Sequence, residues 1–374
     1  MARKSEILIT PAVLEWAIAE SGLPLADVAA GTGVGEDELQ RWLAKTAKPS
    51  VSELRRLAKK LHRQVAVFLL PSPPKDEQAH VQFRHPIGAQ RSRALTADER
   101  RFLRRAKRLQ DAQAWLVTEL ERVRPDLPRI PQSEKADVIA RTWRERLGIT
   151  VAAQRAWRSP SVAFDAWRSV VEATGVTVVQ FSMGSESCRG FSLWDEWAPL
   201  IAINTAWADE ARSFTLFHEL GHLLTRTNSV CAAEPMAADA GDRIERWCEE
   251  FAAALLIPRD ALFGVGRVTR LATLSDLARK LRVSLRATAI RLIKLGLASW
   301  PLYDEIPRAS DSKPKGGGGT GRSRREIRED EFGARTTEIF VAAVRREIIT
   351  ESQVLDYLDI PSSEFERLAV ATSR

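Results

Sequence analysis

The chain is poor in cysteine. Three occur in 374 residues, Cys188, Cys231 and Cys248, an odd number at wide spacing. They make no disulfide framework and no CxxC zinc ribbon, which excludes a small disulfide-stapled scaffold and points to a reducing compartment. Long apolar runs are missing too. None approaches the ~18 residues that a membrane-spanning helix needs. The opening stretch, "MARKSEILITPAVLEWAIAE", is charged early and has no apolar core, so no signal peptide is expected. A cytoplasmic protein without a membrane partner follows. No internal repeat with a period of about 20–50 residues appears, which excludes a solenoid. Histidine is scarce, at five. The net charge of +7 permits a nucleic-acid partner without requiring one.

What is present suits soluble, cored domains. Hydrophobic residues make up 44% of the chain and charged residues 28%, and the length suggests two or three domains. The pattern reads as mainly α with a small β-sheet, an α+β fold. Residues 1–75 read as short helices with a helix–glycine turn–helix unit in "LPLADVAAGTGVGEDELQRWLAKT". Ser50 is the expected N-cap of the next helix, with Glu53 three residues on. Residues 76–130 form a basic helical connector, with one long helix expected over about 95–123. Residues 131–262 hold the β-rich texture: "GVTVVQFSM" predicts a strand, and "RGFSLWDEWAPLIAIN" predicts one or two more with a turn near Asp195 and Glu196. Residues 263–309 suggest a second helix-turn-helix-like pair, 310–326 a flexible glycine-rich linker, and 327–374 a C-terminal helical region. The stretch from about Asn228 to Gly241 reads as a loop.

The chemistry lies in "FTLFHELGHLLTRT", Phe214 to Thr227. His218 and His222 are four apart on a predicted helix, so they share a face and can converge on one metal ion. Zinc suits imidazole and carboxylate, and a catalytic zinc site uses three protein ligands. Glu219 is rotated by about 100° from His218, beside the site, where a carboxylate can accept a proton from water. The alternative is an amphipathic helix with two unrelated histidines. The third ligand must come from elsewhere, and "IERWCEEF" offers Glu245, Glu249 and Glu250 on one helix. Glu245 and Glu249 share a face. Glu245 is taken as the ligand. Glu249 either holds a histidine Nδ1–H or stands in as the ligand itself, and Glu250 reads as a solvent-facing charge.

"RSFTLFHELGHLL" followed by "IERWCEEFAAALLIP" resembles the ImmA/IrrE family of zinc metallopeptidases. The family carries a similar F-T-x-x-H-E-x-x-H helix and a later helix, E-x-x-A/C-N-x-F-A-A-x-L-L-x-P, whose leading glutamate binds metal. That glutamate maps to Glu245. Glu249 departs from the family by occupying its asparagine position, so the ligand can slide by one turn. The resemblance spans about residues 160 to 300. The first 70 residues resemble the XRE-type helix-turn-helix that often precedes this peptidase, on "ITPAVLEWA", "WLAKTAKPSVSELRRLAKKL" and "FLLPSPP", with "QFRHP" at 82–86 as the junction.

The resemblance implies one Zn2+ per chain and an intracellular endopeptidase. Its expected substrate is a regulatory protein such as a helix-turn-helix transcriptional repressor, cleaved to control genes of stress, phage defence or mobile elements. Glu219 is then the catalytic base. Arg212 is a weak candidate for stabilising the oxyanion, and Tyr303 a weaker one. The alternative is a DNA-binding regulator, or an antitoxin-like protein, that uses the peptidase fold as a sensor or scaffold. The expected recognition helix opens on Glu36, Asp37 and Glu38, which face phosphates badly. Gln40, Arg41, Lys45 and Lys48 are its candidate DNA contacts. Eleven Lys/Arg against eight Asp/Glu through residue 75 leave only +3. The basic run from Arg91 to Arg108 can add phosphate contacts or serve as a solvated helix face. The segment therefore stands open between DNA, a repressor and a second copy of the chain as its partner.

Overall fold

Ser50 ends an extended stretch and starts a helix. Its hydroxyl accepts from the Glu53 N–H at 3.4 Å, and Glu53 Oε2 accepts from the Ser50 N–H at 2.8 Å, a reciprocal cap. The same local chemistry repeats along the chain in the computed structural model, which describes residues 6–74, 95–226, 238–307, 324–358 and 360. The "QFRHP" junction, Cys231, most of the loop expected from Asn228 to Gly241 and most of the glycine-rich linker lie outside the described residues.

The chain divides into two compact units. The first holds the described residues up to Pro74 and Leu95–Arg105, and the second holds those from Ala106 onward. The first unit begins with α1 (Pro11–Ser21), α2 (Leu25–Thr32), α3 (Glu36–Leu43) and α4 (Val51–Lys60). Gly22 at φ 69° and Gly33 at φ 64° end α1 and α2 in the left-handed conformation that glycine adopts without strain. Leu14, Val28, Leu39, Trp42, Leu54 and Phe68 form its core. The long helix α5 (Ala97–Glu119) starts on a second reciprocal cap between Thr96 and Glu99. Its residues through Arg105 belong to the first unit and the rest to the second.

In the second unit, α6 (Ala136–Arg146), α7 (Val151–Ala156) and α8 (Pro160–Ala173) lead into β1 (Thr177–Phe181), β2 (Gly190–Leu193) and β3 (Leu200–Asn204). The sheet order is β1-β3-β2, with β3 parallel to β1 and antiparallel to β2. Every strand residue is buried, which explains the near-continuous apolar runs in place of alternation. Asp195 Oδ1 accepts from the N–H groups of Trp197 and Ala198 at 2.7 and 2.8 Å and so shapes the turn after β2. Gln110 of α5 donates to Leu193 O and Ala198 O, clamping the two ends of that turn.

The helices α9 (Asp209–Thr225) and α10 (Ala238–Leu256) follow, then α11 (Leu271–Leu281), α12 (Leu285–Lys294) and α13 (Trp300–Asp304). Leu274, Leu281, Ala289 and Leu292 of the α11–α12 pair share one core with Leu220 of α9, Phe251 of α10 and Val178 of β1. The chain closes with α14 (Arg324–Arg345) and α15 (Glu351–Leu358). α14 packs on β1 and kinks at Gly333, where φ is 80°. The amides of Gln180 and the guanidinium of Arg168 both donate to Asp330 O. The architecture is thus mainly helical with a small mixed sheet, an α+β fold. Among the described residues no helix is long and apolar enough to cross a membrane.

Candidate metal centre

α9 is buried along almost its whole length, from Ala211 to Thr225 with few gaps. Its polar residues tolerate this because they bond within the helix. Ser213 and Thr215 hydroxyls donate to the carbonyls of Asp209 and Ala211, four residues back, each at 3.0 Å. Asp209 and Glu210 place negative charge at the helix N-terminus, where the backbone dipole favours it. α10 is amphipathic by contrast. Ile244, Trp247, Cys248 and Phe251 join the core, while Glu250 forms an exposed ion pair with Lys294 at 3.0 Å.

The two helices cross at Gly221 and Cys248. A Cβ on Gly221 would stand 3.1 Å from Cys248 Sγ and 3.3 Å from Cys248 Cα. This close approach carries Glu245, one turn before Cys248, to the histidines. The Nε2 atoms of His218 and His222 are 3.1 Å apart. Glu245 oxygens lie 3.4 Å from His218 Nε2 and 3.3 Å from His222 Nε2. These are the separations expected of ligands on one ion, because a tetrahedron with bonds of ~2.0–2.1 Å has an edge of about 3.4 Å. The three residues are the one His/Cys/Asp/Glu cluster of metal-binding geometry among the described residues.

The electrostatics suit a cation. Burial alone would raise the Glu245 carboxyl, but hydrogen bonds from His218 and His222 outweigh it and hold the group well below the usual carboxylate range. Burial pulls the His222 imidazole down, yet Cys248 and Glu245 beside it push it well above its ordinary value. A divalent ion satisfies this donor set.

Glu219 is buried. Its Oε2 accepts a hydrogen bond from Ser192 Oγ of β2 at 2.9 Å. Ser192 was not legible as a functional residue. The only signal is a hydroxyl in an otherwise apolar strand segment, "GFSL". Cys248 was legible in the motif but not as the neighbour of His222. Glu249 is partly buried on α10 and does not belong to the three-residue cluster. Arg212 sits early in α9. It pairs with Asp209, donates to Gln180 Oε1 at 2.5 Å and lies over the Phe164 ring. Tyr303 accepts from Arg286 at 3.0 Å. In the first unit, Gln40, Arg41, Lys45 and Lys48 are all exposed, and Arg41 pairs with Glu38.

Residues 171–293 match the family model Peptidase_M78, the IrrE N-terminal-like domain. The matched span opens in α8 and closes in α12, so it holds the sheet and all three residues of the cluster. It supports a metallopeptidase of the ImmA/IrrE type. The first unit and the C-terminal helices lie outside it. None of the curated proteins compared with the chain matches it.

Proposed function

We propose that the chain is an intracellular zinc-dependent endopeptidase, with His218, His222 and Glu245 as the ligands of one Zn2+ and Glu219 as the general base. The observation that carries the reading is the convergence of three donor atoms from two helices at tetrahedral spacing. When bound, zinc supplies Lewis acidity toward a scissile carbonyl and toward water. Glu219 takes the proton from the attacking water and returns it to the leaving amine. Ser192 orients Glu219 by donating to Oε2. Cys248 stands beside the His222 ring. Arg212 is anchored to Asp209 and Gln180, so the oxyanion stabiliser is left unassigned. A protein substrate follows from the peptidase reading, and a helix-turn-helix repressor is the class we favour.

The test compares wild type with Glu219→Gln in cells, by proteomics of accumulated fragments. Both proteins should copurify with about one zinc per chain, and the variant should lose cleavage by roughly 10²–10⁴-fold. Folded protein that binds no zinc would overturn the proposal. A second reading, a regulator that binds DNA through the XRE-like first unit, draws on the exposure of Gln40, Arg41, Lys45 and Lys48 on and just after α3. Its sign is a salt-dependent gel shift that Glu219→Gln leaves intact.

A further inference from the structure

The first unit carries a cationic groove that the metal centre does not use. The end of α4, the first turns of α5 and Gly31 of α2 border a half-open groove of about 520 Å³, within the ~300–1,000 Å³ typical of small-ligand clefts. Arg56, Lys59 and Lys60 line it from α4, and Arg101 and Arg104 from α5. Asp98 is the one carboxylate in the lining. Every lining residue belongs to the same compact unit. No residue of α3 lines the groove, so it is separate from the α3 contacts considered for DNA.

Two of these cations are held in place by the backbone. Arg56 Nε donates to Thr32 O at 2.7 Å, and Arg104 Nη1 donates to Glu20 O at 3.1 Å. A guanidinium with one N–H committed to a carbonyl keeps its full charge and gains a fixed direction. Lys60 lies across Gly31. A Cβ there would stand 2.6 Å from its Cδ and 2.8 Å from its Nζ, so the glycine leaves room for the lysine in this position. Among the described residues no carboxylate pairs with Lys59 or Lys60.

The plain alternative is that Lys59 and Lys60 answer the negative end of the α4 dipole, an effect of ~0.3–1 kcal/mol each. It accounts for two lysines on one helix. It does not account for two arginines brought to the same cavity by another helix. Five like charges around one concavity repel each other, and a bound anion relieves that repulsion. The geometry of several donors around a cleft of this size suits the oxygens of linked phosphates. We infer that this groove binds a phosphate-bearing ligand, either a nucleoside triphosphate or a stretch of nucleic-acid backbone.

Two probes distinguish the sources on the full-length protein: ATP by isothermal titration, and a short fluorescein-labelled DNA duplex of random sequence by anisotropy. The double variant Lys59→Glu with Lys60→Glu should weaken binding of the probe by at least about 10-fold. It should also lower the slope of log K against log salt by about two. The control Arg267→Ala with Lys280→Ala, two exposed cations of the second unit outside the groove, should bind that probe as wild type does. ATP binding alone identifies a nucleotide site, and duplex binding alone identifies a backbone site. Thermal melts verify folding, and Lys59→Gln with Lys60→Gln replaces the charge reversal if that lowers Tm. No saturable binding of either probe overturns the inference. So does wild-type affinity in the groove variants, or an equal loss in the second-unit control.

Discussion

Gly221→Ala sets two effects against each other inside α9, the helix proposed to hold the metal. Alanine in place of glycine within a helix is favourable by ~1 kcal/mol. The added methyl, however, meets Cys248 at 3.1 Å from Sγ, 3.2 Å from Cβ and 3.3 Å from Cα. Comfortable contacts lie at ~3.5–4.0 Å, so α10 must withdraw by roughly 0.3–0.6 Å. Cys248 cannot turn aside, because one of the three atoms is backbone. Overpacking of this kind costs ~1–3 kcal/mol. The helical gain is therefore cancelled, and metal-free protein should lose between about 0 and 2 kcal/mol. Glu245 moves with α10 while His218 and His222 stay on α9. Metal–ligand distances tolerate only about 0.2 Å, so zinc affinity should fall by roughly 10–100-fold, the scale of losses when ligands are mis-set. Denaturant unfolding of metal-free protein reads the first quantity, and zinc competition against a chromophoric chelator reads the second. A variant stabilised by ~1 kcal/mol with wild-type zinc affinity would refute the claim that this crossing sets the site.

Three other sets of substitutions test separate parts of the structure. Glu245→Gln should strip zinc well below one per chain while Glu249→Gln retains it; the reverse result would move the ligand by one helical turn. Ser192→Ala removes a hydrogen bond to a buried carboxylate, worth ~1.5–3 kcal/mol. Cleavage should fall about 10–100-fold with zinc content unchanged, and Ser192→Thr should restore it; zinc loss in the alanine variant would mean a structural role instead. Gly333→Ala forces a left-handed φ of 80° on alanine and drives its Cβ into Glu172 Oε1 and to 2.5 Å from Arg168 Nη2. The strain alone is ~1–3 kcal/mol. Thermal unfolding should shift down measurably, and an unchanged midpoint would show that α14 is not seated on β1.

Local signals were legible wherever one short segment decides the outcome. The Ser50–Glu53 cap was readable as letters, because the two partners lie three residues apart on one chain. The three strands were readable from β-branched and apolar runs, and the turn between β2 and β3 from Asp195. The α11–α12 pair was legible as two helices by period, but not the core they share with α9 and α10, because that depends on which faces meet. The short helix α7 escaped notice, since six residues carry too little periodicity. The return of α14 to β1 was equally hidden. Its determinants, Gly333, Arg168, Glu172 and Gln180, are spread over more than 150 residues.

The sequence by itself determined which side chains could hold a metal from one helix. His218 and His222 are four residues apart, and helical geometry leaves them no choice but to face the same way. It also narrowed the third ligand to the carboxylates of a later helix. Only the tertiary structure shows which of those carboxylates stands beside the histidines, by crossing α9 and α10 at Gly221 and Cys248 so that Glu245 lies within 3.4 Å of both imidazoles. The same packing set Ser192 against Glu219. Spacing within a helix is written in residue numbers, whereas the distance between two helices is set by the side chains that happen to stand at their closest approach.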